Sequence, residues 1–221
     1  IVPEVEDDTE IQISSDKLFA EYAEAKALGI NTKPVVIGAY TMLRLCRYTG
    51  EKKAADFVDT VIAAYGELLR KCGEQGIRLV QFDEPSLVQD MKPEDIAFFE
   101  KIYRKVLAEA TQTKVLLQTY FGDVRDVYQK LTELPFAGIG LDFIEGRQTA
   151  ALIEKYGFPK DKVLFAGVVN GKNIWKNHYE KTLGILKKLQ GKGIQTVVST
   201  SCSLLHVPYT LQHEKKLAQE Y

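Results

Sequence analysis

Apolar positions along this chain alternate between two patterns. Short, nearly unbroken apolar runs at 35–38, 78–82, 115–120, 138–143, 163–169 and 196–200 read as strands. Between them, apolar residues recur at helical spacing. The clearest helix spans 54–72, with Phe57, Val58, Val61, Ile62, Tyr65, Leu68, Leu69 and Cys72 on one stripe. A helix over 16–28 carries Leu18, Phe19, Tyr22, Ala25 and Leu28, with Ser14 or Ser15 placed to cap it. Another opens near Pro93, a residue favoured in a first helical turn, and presents Ile96, Phe99, Ile102, Tyr103, Val106 and Leu107. Shorter stripes carry Val127, Tyr128 and Leu131, then Ala151, Leu152 and Tyr156, then Tyr179, Leu183, Leu186 and Leu189. An amphipathic tail from Tyr209 predicts one more helix. Residues 1–13 are acidic and extended, and Ile1-Val2-Pro3 reads as the end of a strand.

Strands thus alternate with helices throughout, in six βα units. Continuous apolar strands are those of a parallel sheet, covered on both faces. An open doubly wound sheet would show a glycine-rich phosphate loop after its first strand, and none is present. A TIM (β/α)8 barrel suits the polar strand ends better, but it needs eight units. The expectation is a partial (β/α)8 barrel, about six of eight units, forming one domain over 1–221. The chain starts at Ile1 rather than methionine, which fits a barrel whose first two units lie elsewhere.

Each strand finishes in side chains that ionise, ligate or hydrogen-bond. The strand to Phe82 ends in Asp83 and Glu84, and Pro85 forbids its continuation. Later strands end at Asp142 with Glu145, at Asn170 with Gly171, and at Cys202 between Ser201 and Ser203. Strand ends are where parallel α/β folds place their sites. Asp83 and Glu84 are candidates for acid/base work or cation binding, and equally for capping. Glu84 with Asp142 or Glu145 has the makings of a glycosidase pair. Cys202 reads as a ligand or nucleophile with His206 nearby, or as a small buried thiol. The Asn170-Gly171-Lys172-Asn173 turn offers backbone amides to an anion, or is an ordinary loop. Lys172, Lys176, Arg147 and Arg125 are the nearest cations for an acidic ligand. His178 and His213 fall in predicted helices and read as surface residues.

Charge and cysteine content narrow the field. A formal net charge of −1 argues against nucleic acid or an anionic membrane as partner. Three cysteines, none in a Cys-x-x-Cys, suggest a reducing, cytoplasmic setting. No apolar run approaches the ~20 residues that span a bilayer.

Five segments, taken in order, resemble the N-terminal barrel of cobalamin-independent methionine synthase. They are Lys33-Pro34-Val35-Val36-Ile37-Gly38-Ala39-Tyr40-Thr41, Gln81-Phe82-Asp83-Glu84-Pro85-Ser86-Leu87, Thr119-Tyr120-Phe121, Ala166 through Trp175, and Ser199 through His206. The Asn-Gly-x-Asn-x-Trp and Ser-Cys-Ser-Leu-Leu-His motifs are the specific ones. The resemblance implies a two-barrel enzyme that moves a methyl group from 5-methyltetrahydrofolate polyglutamate to homocysteine, making methionine. It implies a zinc ion that activates the homocysteine thiol, held by the C-terminal barrel, which is absent here. The zinc barrel's ligand positions correspond here to Leu117, Thr119, Asp142 and Cys202, of which only the last two could serve. No metal or other cofactor is therefore expected on this chain. Its partners would be the folate polyglutamate, homocysteine and the C-terminal barrel of the same polypeptide. The family's folate-tail residues fall on the first loop and just before this chain. No family catalytic residue is carried onto the chain. Asp83, Glu84, Asp142, Asn170 and Cys202 are expected on a substrate-side wall. Two other readings stand beside this one: a self-sufficient barrel hydrolase using Glu84 and a second carboxylate, and a non-catalytic folate-binding module.

Overall fold

A computed structural model describes residues 2–205, 207–210, 212–213 and 215–216. In chain order its strands are β1 Glu4–Val5, β2 Val35–Ile37, β3 Arg47–Tyr48, β4 Leu79–Asp83, β5 Lys114–Gln118, β6 Gly138–Asp142, β7 Val163–Val169 and β8 Thr196–Thr200. Its helices are α1 Lys17–Ala27, α2 Ala39–Leu45, α3 Val58–Glu74, α4 Pro93–Ala108, α5 Tyr128–Glu133, α6 Thr149–Tyr156 and α7 Tyr179–Gly191. Six strands form one all-parallel sheet in the order β2-β4-β5-β6-β7-β8. The order follows the chain, so each helix returns to start the neighbouring strand, as in a barrel wall. The two outer strands stay unpaired on their far sides, and the ring is open among the described residues.

Strand alternation builds the core. Val80 and Phe82 of β4, Leu117 of β5, Ile139 and Leu141 of β6, and Leu164, Ala166 and Val168 of β7 point outward, buried under the helices. Tyr65 of α3 meets Phe82 edge-on at 5.4 Å, and Tyr103 of α4 packs against Phe99 at 5.0 Å and Phe136 at 5.2 Å. The opposite face of β4, with Leu79, Gln81 and Asp83, is only half-buried. Sequence reading expected both faces covered. The inner face is partly open because the ring does not close.

Two local expectations change. The N-terminal strand is Glu4–Val5 rather than residues 1–3, and it pairs with β3 in a separate two-stranded sheet. Asp7 secures that corner by accepting from the backbone N–H groups of Glu51 at 3.1 Å and Lys52 at 2.8 Å. Helix α2 was not legible from periodicity, because it is two turns long. Most of the helix expected from Tyr209 lies outside the described residues, at 211, 214 and 217–221; His213 is in a turn. His178 is the N-cap of α7 rather than a residue within it, its Nδ1 accepting from Lys181 N. Ser15 does meet α1, accepting from Lys17 N at 3.1 Å.

Candidate functional site

Parallel strands put every C-terminal strand end on one side, and a cavity of about 270 Å³ opens there. Lys33 and Val35 beside one sheet edge, and Ser199 and Thr200 on the other, line the same cavity. The sheet therefore curls far enough for its two edges to share an interior.

Asp83 faces this cavity. Its Oδ1 accepts from Gln81 Nε2 at 2.7 Å and its Oδ2 from Tyr120 Oη at 3.4 Å. Gln81 Oε1 in turn accepts from Lys33 Nζ. Burial pushes the Asp83 carboxyl above its ordinary range, against the pull of Gln81, Tyr120 and Lys33, and burial lowers Lys33. Lys33, Gln81 and Tyr120 were not singled out from sequence. The signal was present, since Gln81 and Asp83 lie two apart on one strand and must share a face.

The same pleat turns Glu84 away. It is fully buried beneath the helices and does not belong to the wall. Its Oε1 accepts from Tyr40 N at 2.9 Å and from Tyr103 Oη, and its Oε2 from Thr41 N at 2.7 Å. A Cβ on Gly38 would lie 2.1 Å from Glu84 Oε1, so only glycine fits there. Burial raises Glu84 to about 7, opposed by the bonds from Thr41, Tyr103 and Tyr40. Glu84 fastens the start of α2 to β4 and α4. It cannot pair with Asp142 or Glu145 across the cavity, which removes the glycosidase arrangement.

Asp142 is also buried, and its oxygens are taken by backbone donors. Oδ1 accepts from Ile144 N at 2.7 Å and Glu145 N at 2.9 Å, and Oδ2 from Phe121 N at 3.0 Å. Burial raises its carboxyl, while those three bonds lower it. Asp142 thus shapes two rim loops at once.

Asn170 closes a local turn, accepting from Lys172 N at 2.8 Å. Gly171 N donates to Ser201 Oγ at 3.1 Å, and Trp175 N to Asn173 Oδ1 at 3.1 Å. Helix α7 begins only at Tyr179, and Lys172 Nζ bonds Glu145 Oε1 at 2.8 Å. Of the two readings of this turn, the ordinary loop fits better, since the Gly171 and Lys172 amides are engaged within the protein. Arg125 is likewise engaged, by Asp90 and by Asp123 at 3.2 Å.

Cys202 lines the cavity but is buried, and burial pushes its thiol up, away from a reactive thiolate. His206, its expected base, lies outside the described residues. The Cys202 carbonyl oxygen and Sγ would lie 2.6 and 2.8 Å from a Cβ on Gly171. Gly171→Ala is expected to lose about 1–3 kcal/mol by overpacking this seam. An unchanged urea midpoint would show that the seam relaxes freely.

The donor set does not fit zinc. Leu117 is buried and apolar, Thr119 Oγ1 donates to Gly140 O at 2.8 Å, and Asp142 is saturated. Among the described residues no three His, Cys, Asp or Glu side chains cluster as a metal site would require. No helix among the described residues is long and apolar enough to cross a membrane.

The sequence profile of the cobalamin-independent synthase N-terminal domain matches residues 1–193. A 5-methyltetrahydropteroyltriglutamate–homocysteine methyltransferase of Streptococcus suis is 51% identical over 97% of this chain. One from Campylobacter jejuni is 49% identical over all of it. The chain spans only 28% and 29% of those relatives' lengths. A B12-independent methionine synthase from Shewanella sp. W3-18-1, solved with selenomethionine, superposes with a TM-score of 0.67. That likeness is at 16% identity and covers 92% of this chain and 64% of the other. It speaks for the fold alone.

Proposed function

This chain belongs to the cobalamin-independent synthase family, matching its N-terminal domain, and from that premise we propose that it is the non-metal half of a two-barrel methyltransferase. The whole enzyme would move a methyl group from 5-methyltetrahydropteroyltriglutamate to homocysteine in the cytoplasm. This chain would contribute a partial N-terminal barrel, over residues 1–221, that serves as scaffold and as the folate-side wall. The family match carries the reading. Zinc and the homocysteine site would belong to a C-terminal barrel, whose metal would stabilise the homocysteine thiolate.

The chain's own residues suit a supporting role. Glu84 and Asp142 spend their charge on backbone N–H groups and so fix loop positions rather than touch a substrate. Asp83 is the strand-end acid with a side chain turned to the cavity, alongside Cys202. Asp83 and Cys202 would be wall residues, with Asn170 and Asp142 shaping the rim. Glu84 drops out of this set because it has no exposed surface.

The decisive test compares this chain with the full-length polypeptide. The isolated chain is expected to transfer no methyl group and to hold no stoichiometric zinc, while the full-length protein does both. Elemental analysis that finds one zinc per isolated chain, lost on Cys202→Ala, would overturn the assignment of the metal elsewhere.

A further inference from the structure

Phe121 is the one non-glycine residue at positive φ among the described residues, with φ 73°. A side chain with a Cβ disfavours that region, and glycine would occupy it without strain. The conformation is enforced from below: Asp142 Oδ2 accepts from Phe121 N at 3.0 Å. The same carboxylate accepts from Glu145 N at 2.9 Å, and Glu145 holds Lys172 Nζ at 2.8 Å. Lys172 Nζ lies 5.3 Å from the centre of the Phe121 ring, over its face. Tyr120, which lines the strand-end cavity, meets that ring edge-on at 4.8 Å. One buried acid therefore holds a strained aromatic in place next to Tyr120 of the cavity wall.

The ring gains little by burial in return, since 51% of Phe121 remains exposed. Strain retained without burial is a mark of use rather than of folding. A half-exposed aromatic face held in a fixed conformation suits stacking by a planar aromatic ligand. We infer that the exposed Phe121 ring stacks on the aromatic part of the folate substrate. This rests on the function proposed above, and it assigns to that substrate a contact on this chain.

The test is a binding titration of 5-methyltetrahydropteroyltriglutamate to the full-length polypeptide, with KM for both substrates and the melting temperature recorded alongside. Phe121→Gly should keep or raise the melting temperature, because glycine accepts the positive φ. It should weaken folate binding about tenfold, the scale of one lost aromatic stack, and raise the folate KM while leaving that for homocysteine unchanged. Phe121→Tyr should restore binding. Unchanged folate affinity in Phe121→Gly overturns the inference and leaves the proposed function standing. Loss of affinity for both substrates with a fallen melting temperature also overturns it, making the ring a packing contact. A wild-type polypeptide that binds no folate overturns both.

Discussion

Glu84→Ala is expected to remove about 4 kcal/mol of folding stability, enough to unfold most marginal domains. The substitution deletes the acceptor of Tyr40 N, Thr41 N and Tyr103 Oη in a site with no water access, and each orphaned donor carries its own desolvation cost. It also opens a cavity between α2, α4 and β4. Glu84→Gln separates charge from shape. In the folded protein Glu84 is raised from its ordinary 4.5 to about 7 by burial, so the folded state binds that proton more tightly than the unfolded chain does. The stability linked to that proton is fully present below pH 4.5 and is lost as pH rises to about 7, where it levels off. Over that window the loss is roughly 3 kcal/mol for one such group. Glu84→Gln cannot titrate at this position, so it should be less stable than wild type at pH 4.5 and lose stability less steeply up to pH 8. Asp83 and Asp142, raised by burial as well, add slope of the same sign. Urea denaturation at pH 4.5, 6 and 8 reads the difference. Parallel curves for the two proteins would mean that Glu84 keeps its charge throughout.

The second large effect lies at the sheet edges. Strands β2 and β8 each leave one row of N–H and C=O groups without a strand partner, and their side chains are β-branched and exposed, Val35 by 51% and Val198 by 56%. Beside β2, helix α1 buries none of its residues, and an open groove of about 920 Å³ separates it from the strand. Tyr22, Leu18, Ala25, Val35, Ile37 and Leu68 line that groove. Uncharged edges recruit further strands. The 221-residue chain alone is therefore expected to self-associate as its concentration rises. Val35→Lys with Val198→Lys should suppress this, because a charge on each edge opposes pairing. Light scattering decides it. A 24.9 kDa monomer persisting at high concentration with a cooperative melt would show that the edges are protected in solution.

Much of the fold was legible because its signals are local. The periodicity of Phe57 through Cys72 gave α3, and the apolar runs gave β7 and β8 at their observed bounds. The parallel sheet followed from alternation of strands and helices, and the polar strand ends from residues next to each run. The two-turn helix α2 escaped, since too few residues repeat to show a period; Glu84, forty-three positions from Thr41, holds it in place.

The sequence alone determined the six strands of the main sheet, that they run parallel, and that acids and amides cluster at one end. Only the tertiary structure decided what those acids do. Asp83 and Glu84 are neighbours in the chain, but the pleat sends one to the cavity and the other beneath the helices, where Tyr103 and the start of α2 await it. Asp142 reads as a free strand-end acid until the loop carrying Phe121, twenty-one positions away, closes over it. Hydrophobic periodicity is written within a few residues, whereas the partner of a buried polar group is fixed by whichever distant backbone the packing brings within hydrogen-bond reach.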